Sequence, residues 1–302
     1  MHEPNASGSD IEATIAQLVI YPVKSCAGIA MTEVVLYDTG LDFDRAWMVV
    51  DADGVFVSQR DHPRMALVTP QFRRGELVLR APGMLALHVN VDGVEDAVHV
   101  EVWDDRMPAF DMGDIAAQWF TDFISLTEAG LPAANAPKFR LVRFDPAHNR
   151  LASKKWSGGI EAPFQFADGF PILVTSSASV DALNDRLAAG GHAAVDARRF
   201  RPNIVLAGVE AHDEDRLQSV TIDTGGEAVT LLPCKPCTRC TIPNVDPATG
   251  AASTAVNDTL QGYRANAQME GAITFGMNAV IQGGVGATLR VGQRVRGNFR
   301  FD

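Results

Sequence analysis

Long hydrophobic runs are missing from this 302-residue chain, and none approaches the roughly 20 apolar residues that a bilayer-spanning helix needs. Positive charge is in deficit, with 26 Lys and Arg against 37 Asp and Glu, a formal net charge of −11. That balance excludes a protein held mainly on nucleic-acid phosphates or an anionic membrane, although a local basic pocket is still allowed. The start, MHEPNASGSD, lacks a basic stretch leading into an apolar one, so no signal peptide is expected and residues 1–10 read as a loose arm. Cysteine is scarce: Cys26, Cys234, Cys237 and Cys240 are too few for a disulfide scaffold. Without an export signal a cytoplasmic, reducing compartment is expected, where clustered cysteines are usually metal-binding or catalytic. HExxH, GxSxG, a Walker loop and a GxGxxG after a strand are all absent. The seven histidines, scattered from His2 to His212, form no metal pattern.

What is present is ordinary globular composition, 46% hydrophobic and 21% charged, at a length for one large domain or two medium ones. Strand-like alternation dominates the first hundred residues. Leu85, Leu87, Val89 and Val91 alternate, as do Val98, Val100 and Val102. Trp47 and Val49 lead through Asp51-Ala-Asp-Gly54 to Val55 and Val57, a hairpin signature. Ile115, Trp119, Phe120 and Phe123 then recur at helical spacing behind Asp114, which suits a first turn. The small, Pro-containing stretch from Ala129 to Pro137 is the best boundary. Beyond it, Phe139–Phe144 reads as a strand, and Val180, Leu183 and Leu187 as a helix capped by serine. The expected fold is β-rich α+β: two β-barrel-like domains, 11–135 and 136–302, with a few peripheral helices.

The chemistry centres on Cys234-Lys-Pro-Cys237-Thr238-Arg239-Cys240. Thiolates are soft ligands for zinc, iron–sulfur clusters, copper or other thiophilic metals. No second CxxC completes a zinc site, and the plant-type iron–sulfur spacing is absent. The run is therefore inert, redox-active, or the source of one metal-ligating or nucleophilic thiolate, which Arg239 beside Cys240 favours. Lys24 and Ser25, before Gly28, suit a phosphate or other anion, or else a solvated turn. Arg45 is an anion clamp or a sheet-edge ion pair, and Arg60 adds a cation of uncertain facing. Arg201 and Asn203 precede a strand, where one suits an anion and the other a polar ring edge. Asp168 and Asp246 sit in turn-like sequence, each a turn former or a site carboxylate.

Six fragments in order resemble the MOSC superfamily, in its form with an N-terminal MOSC β-barrel domain, and within it the amidoxime reducing components. They are Tyr21-Pro-Val-Lys24-Ser25-Cys-Ala-Gly28, Asp44-Arg45-Ala-Trp47, Gly113-Asp-Ile-Ala-Ala-Gln-Trp119, Phe200-Arg-Pro-Asn203, Cys237-Thr-Arg-Cys240 and Val245-Asp-Pro-Ala-Thr-Gly250. The resemblance implies a molybdenum cofactor, a molybdopterin dithiolene carrying the metal and a terminal phosphate. It implies Cys240 as the protein ligand to molybdenum, with Thr238 and Arg239 beside the cofactor. Lys24, Ser25, Arg45, Arg201 and Asn203 match positions that hold it between the domains. The implied reaction is a two-electron, two-proton reduction of an N-hydroxylated compound, with Asp246 and Asp168 as candidate proton handlers. Nothing after Cys240 could ligate an iron–sulfur cluster, so electrons are expected from a separate ferredoxin, cytochrome b5-like protein or flavin reductase. Two other readings compete. One is a sulfur carrier like the MOSC part of molybdenum cofactor sulfurases; the other is a non-catalytic zinc or cofactor-storage module on the cysteine run.

Overall fold

Along Ile11–Ile20 the side chains alternate between core and solvent as far as Ile15, and then Leu18, Val19 and Ile20 are all buried. The computed structural model, which describes residues 8–127 and 137–301, explains the change. This strand closes a barrel of seven. Round the barrel run Ile204–Ala207, Ile172–Ser176, Thr274–Gly283, Val229–Thr238, Leu217–Ile222, Arg294–Phe299 and Ile11–Ile20, and the last pairs back onto the first. A bulge between Ile15 and Gln17 marks where the strand leaves simple alternation. The pairing of Ile172–Ser176 with Ile204–Ala207 is parallel, which demands a crossover, and the helix Ser177–Ala189 lies in that connection. Ser176 caps it, its hydroxyl accepting from the Ser179 amide at 3.1 Å. Val180, Leu183 and Leu187 form its buried stripe. The barrel is packed with aliphatic side chains, including Ile15, Leu36, Val174, Leu206, Leu231 and Val295.

The first half builds smaller sheets around aromatic residues. One has the order Trp47–Val50, Arg140–Phe144, Asp105–Asp111, Ala97–Val102; another joins Thr69–Arg73, Glu76–Arg80 and Leu87–Asn90. The Trp47-to-Val57 hairpin forms, with Val50 bridged to Phe56. The helix Asp114–Ile124 covers this core with Ala116, Trp119, Phe120 and Phe123. Two members of the expected apolar patterns are corrected. Ile115 is 81% exposed because Ala116, Phe120 and Phe123 carry the inward face. Leu85 is 88% exposed because it precedes the strand, and its carbonyl instead accepts the Trp119 indole N–H at 2.8 Å.

The fold is thus β-rich, with a closed seven-stranded barrel, several further sheets and four α-helices among the described residues. No described helix is long and apolar enough to cross a membrane. Sheets cross between the two halves of the sequence. Ile11–Ile20 completes a barrel otherwise built from residues beyond 171, and Arg140–Phe144 lies between strands of the first half. The expected boundary at 135/136 and residues 1–7 of the expected arm lie outside the described residues. At the end of that arm, Asp10 is anchored, its carboxylate accepting from the Phe299 amide at 2.8 Å.

One half-buried histidine gives the fold a pH signature. His212 packs against Tyr263 and Phe275, and neither ring nitrogen has a hydrogen-bond partner. Burial, with the charges of Arg264 and Arg186, pushes its imidazole down to about 4. Between the ordinary histidine value of about 6.5 and that value the unfolded chain takes up a proton that the fold refuses, so stability falls as pH falls through this window. We expect His212→Leu to remove up to about 3 kcal/mol of the stability lost between pH 7 and pH 4. Urea unfolding at both values checks this; an unchanged pH slope would refute it.

Candidate functional site

The loop after Ile20 enters the site by backbone pairing. The Lys24 amide donates to the Trp47 carbonyl at 2.8 Å, and the Arg45 amide to the Tyr21 carbonyl at 2.9 Å. These contacts lay Lys24, Ser25 and Arg45 beside one another. Arg201 arrives from the turn before Ile204–Ala207, and Thr238, Arg239 and Cys240 from the end of Val229–Thr238. All of them line one cavity of about 420 Å³, together with Asp168 and Asn203. Ser25, Arg45 and Arg201 hold left-handed backbone at φ +66°, +53° and +58°. Such conformations are costly for side chains other than glycine and tend to cluster at functional sites.

The cavity is strongly cationic. Lys24, Arg45, Arg60, Arg201, Lys235 and Arg239 line it, against one carboxylate, Asp168. A chain of net charge −11 therefore concentrates positive charge at one place. Lys24 Nζ, on a buried side chain, donates to the Phe166 carbonyl at 2.8 Å and to Asp168 Oδ1 at 2.6 Å. Burial pulls the Lys24 ammonium below its usual value, although Asp168 opposes this. The Asp168 side chain is largely exposed, and Lys24, with Trp103 and Arg45, outweighs what desolvation it meets and holds its carboxyl well below the usual carboxylate range. Asp168 is thus held as a carboxylate that orients Lys24.

Tyr21 lies between two guanidinium groups, Arg45 at 4.4 Å and Arg201 at 4.2 Å from its ring centroid. Burial pushes its phenol up to about 12. Arg45 pairs with the buried Asp44 and donates to the Arg201 carbonyl at 3.0 Å. Arg201 Nη1 donates to the Cys26 carbonyl at 2.6 Å, while Nη2 is buried with no partner. Burial and then the charge of Arg45 push the Arg201 guanidinium down to about 10. Arg239 donates to the Phe200 carbonyl at 2.9 Å, and its Nε is likewise buried without a partner. Buried N–H groups on cationic side chains are rarely left unpaired, and these two are suited to an acceptor that carries negative charge.

The cysteines separate by environment. Cys26 is fully buried, its thiol pushed up to about 12, and only its carbonyl serves the site. Cys234 is half-buried, pushed up by burial to about 11, with Sγ 3.5 Å from the Asn278 carbonyl oxygen. These two thiols remain protonated and inert at neutral pH. Cys237 and the exposed Cys240 both line the cavity. Arg239 turns its guanidinium to Cys237 Sγ at 3.0 Å rather than to Cys240, which corrects the expected pairing. Among the described residues no group of three or more His, Cys, Asp or Glu is placed to hold a metal ion, so a zinc module on this run has no ligand set.

Asp246 stands apart. It is absent from the cavity wall, and its carboxylate accepts from the Ala248 and Thr249 amides and pairs with Arg199 at 3.2 Å. It is the turn former of the two readings. Asn203 reaches the cavity wall, but its amide is already bonded, accepting from the Leu173 amide at 3.1 Å and donating to the Val19 carbonyl at 3.3 Å. It ties the barrel strands together beneath the site. Sequence reasoning missed Phe56, Trp103 and Lys235. Trp103, a large aromatic residue directly after the Val98-Val100-Val102 pattern, was the one available signal.

Comparison with known proteins agrees with this architecture. The MOSC N-terminal beta barrel domain matches residues 12–127, and the MOSC domain matches residues 161–296. Mitochondrial amidoxime reducing component 2 of Bos taurus is 33% identical over 83% of this chain and 72% of its own length. Mitochondrial amidoxime-reducing component 1 of Homo sapiens is 33% identical, again over 83% of this chain and 72% of its own. Molybdenum cofactor sulfurase of Homo sapiens is 27% identical over 87% of this chain but only 29% of its own length. With its barrel, its smaller N-terminal sheets and a cationic cavity lined by both matched regions, the chain belongs to the MOSC family, in the form that carries an N-terminal MOSC beta barrel domain.

Proposed function

We propose that this protein binds a molybdenum cofactor in the cationic cavity and reduces N-hydroxylated compounds, such as amidoximes or hydroxylamines, with electrons from a separate redox protein. The observation that carries the reading is the pair of buried, unpartnered guanidinium atoms, Arg201 Nη2 and Arg239 Nε, in a cavity that also presents the Cys240 thiol. An anionic, sulfur-rich pterin fits that donor set: cations and N–H donors for its phosphate and ring, and a soft thiolate for its metal. The kinds of relative, amidoxime reducing components and a molybdenum cofactor sulfurase, support the same reading. When bound, such a cofactor would supply the two-electron couple for the reduction.

The remaining work falls to the chain's own residues. Arg201 and Arg239 are suited to hold the anion, and Arg45 positions Arg201 through its carbonyl. Asp168 and the Phe166 carbonyl aim Lys24 Nζ, the buried cation of the cavity. Cys240 Sγ, on an exposed residue at the cavity wall, is accessible to a metal without displacing core side chains. A ferredoxin, a cytochrome b5-like protein or a flavin reductase is the class of partner that would deliver electrons.

The test is elemental analysis with pterin fluorescence on protein from a host that makes the cofactor. We expect molybdenum and pterin near one per chain. Lys24→Ala removes a buried cation from the cavity and leaves Asp168 unpaired, so both contents are expected to fall about tenfold or more. Protein without pterin after cofactor-rich expression would overturn the proposal.

A further inference from the structure

Trp103 occupies the first position of the loop joining Ala97–Val102 to Asp105–Asp111, with φ +57°. That backbone favours glycine, and a bulky residue adopts it only against strain. The residue is 47% exposed, so it gains little from burial, yet it lines the cationic cavity. Its ring is nevertheless fixed. Nε1 donates to Asp168 Oδ1 at 3.2 Å, Phe56 lies 5.0 Å away between ring centroids, and the Arg60 guanidinium sits 4.4 Å from its centroid. Arg60 is also 5.4 Å from the Phe56 ring, and Lys24 Nζ lies at the same distance from it. Arg60 Nε donates to Ser58 Oγ at 3.1 Å, while its terminal nitrogens meet no carboxylate among the described residues.

Here are a strained, exposed indole, a second ring and a guanidinium with free donors, pinned as one wall of the cavity. A guanidinium held over aromatic rings can both contact planar groups and donate to anions. We propose that Phe56, Trp103 and Arg60 form a substrate shelf that selects molecules with a planar aromatic ring bearing an anionic group. The ring lies against the shelf and the anion meets the terminal nitrogens of Arg60. This rests on the reductase reading for the reacting N-hydroxyl group and adds to it the class of molecule that carries the group.

The test uses calorimetric titration of the full chain with 4-amidinobenzoate, benzamidine and an aliphatic amidine acid, none of which is reducible. We expect the planar acid to bind about tenfold more tightly than either comparator. Arg60→Gln and Trp103→Gly should each erase that preference. Trp103→Gly also relieves the left-handed backbone, so its unfolding midpoint should not fall, which separates a shelf from a structural prop. In turnover, the kcat/KM ratio between a ring-carboxylated aromatic amidoxime and an aliphatic one should drop about tenfold in Trp103→Gly. An unchanged preference in both variants overturns the proposal. So does loss of pterin in Trp103→Gly with wild-type protein loaded, since the shelf would then belong to the cofactor. Absence of pterin from wild-type protein instead defeats the reductase reading and leaves the calorimetric arm readable.

Discussion

Replacing Cys240 by alanine is expected to lower kcat/KM for an N-hydroxylated substrate by more than about 100-fold while leaving pterin content near that of the wild type. The reason is a division of labour within the cavity. The cavity's cations lie on other segments: Lys24 and Arg45 on the loops after Ile20 and Leu41, Arg201 on the turn before Ile204. Removing one exposed thiol disturbs none of them. Cys240 keeps its place through its backbone, whose carbonyl accepts from Asn257 Nδ2 at 3.0 Å, and alanine preserves that bond. Stability should therefore change by less than about 0.5 kcal/mol, the usual range for an exposed position. Cys237→Ala is the control. That thiol is already engaged by Arg239 and is expected to affect activity less. The measurements are steady-state kinetics with a chemical reductant, metal analysis and urea unfolding. Wild-type activity in Cys240→Ala would remove the thiol from the mechanism.

The second large effect is expected from Asp44→Ala, a loss of about 3–5 kcal/mol of stability. Asp44 has only 3% of its side chain exposed and Arg45 has 12%. One Asp44 oxygen accepts from the Tyr21 amide at 2.8 Å, and the other pairs with Arg45. Alanine strands a buried guanidinium and an amide together, and breaking a buried pair from one side is the costly way to lose it. The damage should spread into the site, because Arg45 stacks on Tyr21 and supports Arg201. Asp44→Asn keeps an oxygen for the Tyr21 amide and loses the charge and the acceptor that Arg45 uses, so one of the two contacts survives and its loss should be smaller. Equilibrium urea unfolding of both variants, with pterin content, gives the answer. Equal losses for the two substitutions would place the whole effect in the lost pair with Arg45, and wild-type stability in Asp44→Asn would show that this pair contributes nothing.

Much of the local structure was legible because it depends on neighbours in sequence. The serine cap of Ser177–Ala189 and its Val180-Leu183-Leu187 stripe need only a period and a hydroxyl. The hairpin after Trp47 needs only its alternation and Gly54, whose φ is +82°. Ile115 and Leu85 fall outside the core because periodicity fixes neither a face nor an end to the residue: Ile115 lies beside the helix face that packs, and Leu85 lies before the strand begins.

Residue chemistry by itself determined the candidate set for the site. Lysine, arginine and cysteine in short fragments announce anion and soft-metal binding wherever the chain places them, and the order of the fragments is what the family resemblance rests on. Only the tertiary structure decided their roles, because these depend on distances between segments far apart in the chain. It carried Lys24 to Asp168 and left Asp246 in its turn. It gave Arg239 to Cys237, and bonded the Asn203 amide to backbone. It also raised Arg60 and Trp103 from unplaced residues to a cavity wall. Ile11–Ile20 shows the same limit at the level of the fold: its alternation marks a strand, but only closure against Ile204–Ala207 makes it a barrel stave. Sequence pattern records which groups want to be buried or paired; which partner each one finds is settled only when long-range contacts bring the segments together.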